Sequence, residues 1–167
     1  MTDERTRVVK QLLKKYTVTK IYIDNLHADL EDYHALQQLL PAPKVPSLSY
    51  APGSDGKTSN QEEQYCITKE AMLKRIAEIQ DKLMEIEPVM KRLDKSLEAL
   101  KSISEIDWCI IHSRHIEKCS WESIARHTNA SIGYCKNKEK RAMDLLNDMI
   151  FGPEDMLLQT SFEFLWK

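Results

Sequence analysis

The sequence predicts an all-α fold, a long coiled-coil-like helical hairpin followed by a C-terminal module of short helices. Three observations carry this. Apolar residues recur at alternating spacings of three and four over two long stretches, the heptad signature of packed helices. Glycine and proline number only 4 and 6 among 167 residues, too few for a many-turned β-sandwich or a glycine-lined nucleotide fold. Beyond residue 103 the heptads stop, and Ser120 and Ser131 stand where helix N-caps divide a chain into short helices. With 42% hydrophobic and 30% charged residues, the chain as a whole is not disordered.

The first element spans residues 1–40. Val9, Leu12, Tyr16, Thr19, Ile23, Leu26, Leu30, Tyr33, Gln37 and Leu40 keep the 3–4 alternation with two polar interruptions. A β-branched run from Tyr16 to Ile23 lowers helix propensity, so a break is expected around residues 17–20. Residues 41–67 hold four of the six prolines and two of the four glycines and read as a flexible Pro/Gly/Ser linker. The Gly-Lys-Thr string ending at Thr58 is not a phosphate loop, because Gly53 and Gly56 stand too close and no strand precedes them. The heptad-patterned helix of residues 68–102 follows. Its seam runs from Met72 through Ile76, Ile79, Leu83, Ile86, Met90, Leu93 and Leu97 to Leu100. Pro88 removes a backbone donor inside it and should kink or divide the helix near Glu87. Two helices of roughly 35 residues, each about 50 Å long, match as an antiparallel hairpin, or one or both seams pair between chains.

The formal charge of −2 averages over opposed segments. Residues 1–20 carry six basic and two acidic side chains, and residues 21–67 two basic and seven acidic. Residues 68–100 balance at seven each, and residues 101–142 carry eight basic and five acidic. Residues 143–167 carry one basic and five acidic. The whole-chain balance excludes a protein that coats nucleic acid by bulk charge, and leaves room for one that reads it with a local face.

The module spans residues 103–152. Ser104–Lys118 reads as a helix with Ile106, Cys109 or Ile110, and Ile116 inward. Ser120 caps a second helix with Glu122 in its first turn and Trp121, Ile124 and Ala125 on its inner face. Asn129 tolerates the left-handed conformation that ends a helix, and Ser131 caps a third helix running from Ile132 to Ile150. Gly152-Pro153 stops it. A short helix, a tight turn and a longer basic helix make a helix-turn-helix, whose second helix enters the DNA major groove. Its predicted core is Trp121, Ile124, Ala125, Cys135, Ala142 and Leu145, with Met149 extending the buried stripe. Its predicted DNA-binding residues are Ser131, Tyr134, Lys136, Asn137, Lys138, Lys140 and Arg141. Asn137 suits an adenine edge and the four cations suit phosphates.

The stretch HIEKCSWESIARHTNASIGYCKNKEKRAMDLL, residues 115–146, resembles region 4 of sigma-70-type RNA polymerase factors. More narrowly it is similar to ArpU/RinA-type late-gene activators of phages and prophages of Gram-positive bacteria. The resemblance lies in the helix ending in His-Ile-Glu-Lys118, the Ser-Trp-Glu-x-Ile-Ala125 core, the turn at Asn129, Ser131, and Arg141-Ala142 followed by Met143, Leu145 and Leu146. Where those regulators often carry Gly at the turn and charged residues at the start of the recognition helix, this chain has Asn129, Ile132 and Gly133. The resemblance implies a sequence-specific, double-stranded-DNA-binding activator that works with host RNA polymerase at a late promoter. Nothing resembles the sigma region that grips the promoter's minus-ten element, which implies an accessory factor.

Other readings are weaker. Cys109, His112, His115 and Cys119 have zinc-like spacing, but on one helix they spread around the surface, so packing is the expectation and no metal or cofactor is assigned. No triad or carboxylate pair points to an enzyme. With no apolar run of about 18 residues, no secretory leader and no CxxC pair, the expectation is a bacterial cytoplasmic protein without a membrane partner. Residues 153–167 form an apolar, acidic tail expected to fold back on the helical region, the alternative being that it docks onto a partner such as a second subunit or polymerase. A homo-oligomer, with a dimer favoured, would present two recognition helices to half-sites about one helical turn apart. The alternatives are a phage small terminase subunit, which forms rings, and a protein-only helical adaptor.

Overall fold

Helix formation dominates the residues that the computed structural model describes, 2–40 and 58–152. They form five helices and no strand: α1 (Thr2–Leu39), α2 (Thr58–Ile103), α3 (Glu105–Ile111), α4 (Trp121–His127) and α5 (Ile132–Phe151). α3 continues through His112–Ile116 with wider, π-type spacing. α1 and α2 make a helical hairpin. The chain divides into two units, Met1–Tyr22 with Glu85–Lys167, and Ile23–Met84. No helix among the described residues is long and apolar enough to cross a membrane.

The unit Ile23–Met84 is built on the two seams. Leu26 packs on Ile79 and Leu83, and Ile23, Leu30 and Tyr33 cover them. The Arg75 guanidinium reaches Tyr33. Rising numbers on α1 meet falling numbers on α2, so the helices are antiparallel and the seam closes within the chain. Ile76, Ile79 and Leu83 are buried accordingly.

In the other unit the seam continues through Met90, Leu93, Leu97 and Leu100, all buried, with Ile86 half-buried. Here α1 buries Val9, Leu12 and Leu13. Leu13 lies outside the 3–4 register. α1 carries this second apolar position because α5 also bears on it: Asn147 donates to the Thr6 hydroxyl at 2.7 Å, and the Arg5 guanidinium lies 5.7 Å from the centre of the Phe151 ring. Arg92 of α2 donates to the Ile150 carbonyl at 3.4 Å, which ties the end of α5 to the hairpin.

Two expectations are corrected, and one alternative of a third is excluded. α1 runs unbroken through residues 17–20. Tyr16 and Lys20, one turn apart, both bind Asp94 of α2: Tyr16 donates its hydroxyl to Asp94, and Lys20 pairs with the same carboxylate at 3.1 Å. Burial and the bond to Asp94 hold the Tyr16 phenol above its ordinary 10.0. Such tertiary anchoring overrides the weak local preference of a β-branched run. α2 is likewise undivided at Pro88, which excludes division and not the kink that is its alternative. The ring is exposed, so the carbonyl left without a donor is on the watered side of the helix. α2 also begins at Thr58, so residues 58–67 are helical and not linker. The last glycine of that stretch is Gly56, and Gln61-Glu-Glu-Gln64 are good helix formers. The rest of the expected linker, with Gly53, Gly56 and Lys57, and the tail of residues 153–167 lie outside the described residues.

Candidate nucleic-acid interface

The module is assembled from caps. The Ser104 hydroxyl accepts from the Asp107 N–H at 3.3 Å and starts α3. After the π turn, Lys118 takes the left-handed conformation at φ 61°. The Cys119 N–H then donates to the Ser113 carbonyl at 2.8 Å, one residue wider than an ordinary helix end. Arg114 donates to the Cys119 carbonyl at 2.9 Å and its guanidinium stacks 4.7 Å from the centre of the Trp121 ring. Ser120 accepts from the Ser123 N–H at 3.2 Å and starts α4. The Glu122 carboxyl in that first turn sits below its ordinary value, held there by its own backbone N–H and by the Ser120 hydroxyl.

α4 ends in a Schellman turn. Asn129 has φ 55°, and the Ala130 N–H donates to the Ala125 carbonyl at 3.0 Å. A side chain other than glycine costs about 1–2 kcal/mol in this conformation, less for asparagine. Asn129→Ala should therefore destabilise by about 1 kcal/mol in a urea titration while Asn129→Gly costs nothing. A neutral alanine would contradict the left-handed turn. Ser131 then accepts from the Tyr134 N–H at 3.2 Å and starts α5. These two turns set α4 and α5 around a core of Ile110, Ile124 and Cys135, closed by Cys119, Trp121, Ala125 and Ala130. The Thr128 hydroxyl lies 3.4 Å from the Cys135 sulfur.

Two electrostatic clamps fix α5 against its neighbours. Lys138 lies 3.2 Å from Asp107 Oδ1 of α3; that contact is ionic, without hydrogen-bond alignment, and Nζ is 3.5 Å from Oδ2. Glu139 lies 2.9 Å from His115 and 3.6 Å from Lys10 of α1. The hydrogen bond to His115, with Lys10 adding charge, holds the Glu139 carboxyl below its ordinary 4.5. A carboxylate lowered in this way contributes stability that is complete above the unfolded value and lost as pH falls through the lower folded one. Glu139→Gln should cost about 1–2 kcal/mol at neutral pH. In thermal melts its gap to the wild type should close as the pH is taken below 4.5. A gap that persists in acid would show that the carboxylate charge is not its source.

The sequence-predicted site residues divide into two groups. Tyr134, Lys136, Asn137, Lys140 and Arg141 are exposed on the N-terminal half of α5, and Asp144 and Asp148 mark where that surface turns acidic. Ser131 is exposed, with its oxygen engaged in the cap. Lys138 differs from the other cations: its side chain is 28% exposed and paired with Asp107. In the predicted core, Ile124, Cys135 and Ala142 are buried, while Trp121, Ala125, Leu145 and Met149 are half-buried. The buried stripe of α5 includes Cys135 and Ala142 and continues through Met143, Leu146, Asn147, Ile150 and Phe151 in place of Leu145 and Met149. On α3, Ile106 is 47% exposed, and Ile110 and Ile111 fill the inward positions. Arg114 and Glu139 were not singled out from sequence; their partners, Trp121 and His115, come from other elements.

Cys109 and Cys119 are free thiols, His112 lies 3.4 Å from Glu117, and His115 is taken by Glu139. Among the described residues no group of three His, Cys, Asp or Glu side chains is placed to hold a metal ion. Chemically, the N-terminal half of α5 offers hydrogen-bond donors and positive charge at the favourable end of a helix dipole, a surface suited to phosphate and base edges. No protein-family model, curated protein or solved structure matches the chain.

Proposed function

We propose that the chain is a sequence-specific DNA-binding regulator of transcription, with α5 as the helix that enters the major groove. One observation carries the reading: a three-helix module, braced from α1 and α3, leaves Lys136, Asn137, Lys140 and Arg141 exposed together on the N-terminal half of its longest helix. The cations neutralise phosphates and Asn137 reads a base edge. The chain does no chemistry; it positions a partner at a promoter. The narrower reading, a phage-type activator acting with host RNA polymerase in the bacterial cytoplasm, is supported by the resemblance of residues 115–146. Both heptad seams are covered within the chain, so a dimer that spans two half-sites is built from other surfaces.

Genome-wide mapping of bound DNA tests this. Occupancy at promoters supports it, and occupancy confined to a packaging locus favours the small terminase subunit, as would a many-membered ring in mass measurement. A wild-type protein without affinity for duplex DNA at low salt defeats the proposal in favour of a protein-only adaptor.

A further inference from the structure

The cations of α5 are not the only ones gathered in its unit. Lys10 and Lys14, one turn apart on α1, line an open depression of about 340 Å³ with Arg114, His115 and Lys118. Arg7 extends the same basic edge along α1, where it lines a neighbouring hollow with Lys10 and Lys14. The turn that carries Arg114 and Lys118 is about a hundred residues away in sequence, so only folding brings these charges together.

Glu139 is the acidic group that enters the cluster, and it is occupied by Lys10 and His115. Among the described residues Arg7, Lys14 and Lys118 have no ion-pair partner, and all three are exposed. Like charges drawn together around a single, already engaged carboxylate raise the local positive potential and favour an anionic ligand. The cluster is continuous with α5, because Arg114 and Lys136 both lie over the Trp121 ring, at 4.7 and 6.0 Å from its centre. Cations that flank a recognition helix in this way are placed to take backbone phosphates beside the groove that it enters.

We infer that the depression between α1 and the turn after α3 is a seat for DNA backbone phosphates, formed by Lys10, Lys14, Arg114 and Lys118. α1 is then part of the DNA-binding surface as well as half of the hairpin. The inference rests on the reading of α5 given above, and it extends the footprint beyond the module that sequence alone identifies.

The test is the salt dependence of affinity for a mixed-sequence duplex, read by fluorescence anisotropy. The variant Lys14→Gln/Lys118→Gln removes two exposed cations that brace nothing, and spares Lys10 because it holds Glu139. Its melting temperature should match the wild type. The slope of log K against log salt should become shallower by about 1.8, two phosphate contacts at about 0.9 each. Lys74→Gln/Lys82→Gln, which removes two exposed cations from the other unit, should leave the slope unchanged. An unchanged slope in the first variant, while neutralising the α5 cations still weakens binding, overturns the phosphate seat and leaves the α5 reading standing. An equal change in both variants also overturns it, since net charge would then be the cause. Absence of wild-type binding at low salt removes both readings together.

Discussion

Replacing Lys136, Lys140 and Arg141 together by glutamine should reduce affinity for duplex DNA by on the order of a hundred- to a thousandfold near 0.1 M salt. Each of the three is exposed on α5. Each phosphate contact contributes about 0.9 to the slope of log K against log salt, so the triple variant should lose about 2.7 of that slope. The loss should be uniform across sequences, because phosphates carry no base identity. Asn137→Ala should behave in the opposite manner. It leaves the salt slope in place and relaxes preference at one base pair by about 1–3 kcal/mol. Lys138→Gln supplies a third behaviour: its ammonium is spent on Asp107, so the variant should lower the melting temperature and leave the salt slope near that of the wild type. Salt titrations on the three variants separate these outcomes. A triple variant that binds as tightly as the wild type would remove α5 from the interface.

Periodicity made the hairpin legible. All ten seam positions read in residues 1–40 are buried or half-buried, and so are the seven of α2 from Ile76 to Leu97. One stripe on each helix is what a two-helix contact needs, and a heptad search finds one stripe. It misses Leu13, because in its unit α1 is covered by α5 as well as by α2, and the second cover requires a further apolar position. The charge pattern announced four cations on α5 without telling which of them turns inward. Asp107, the partner that draws Lys138 in, is 31 residues away. The basic seat of Lys10, Lys14, Arg114 and Lys118 was unreadable for the same reason at longer range. Local chemistry fared better. Ser120 and Ser131, the two caps read from sequence, each accept a backbone N–H at a helix start, and Asn129 ends α4 with positive φ. Caps and turns are decided within a few residues, whereas the inward face of a helix is decided by whatever packs on it.

That distinction gives the second large effect. Residues 142–150 read Ala-Met-Asp-Leu-Leu-Asn-Asp-Met-Ile, and apolar side chains occupy so many positions that two stripes fit the sequence. One runs through Leu145 and Met149, the other through Met143, Leu146 and Ile150. α5 takes the second, because α1 and α2 bear on it through Thr6 and Arg92. Leu146 is fully buried and Leu145 is half-exposed. Leu146→Ala should therefore cost about 2–5 kcal/mol in denaturant unfolding, and Leu145→Ala well under half of that. The adjacent pair keeps composition, helix and approximate position constant, so the difference reports burial alone. Equal losses, or a larger loss at Leu145, would mean that α5 is rotated by about one residue. The rotation would carry Asn137, Lys140 and Arg141 away from the face assigned to DNA. A stability measurement on two leucines therefore constrains which side chains of α5 can reach a groove.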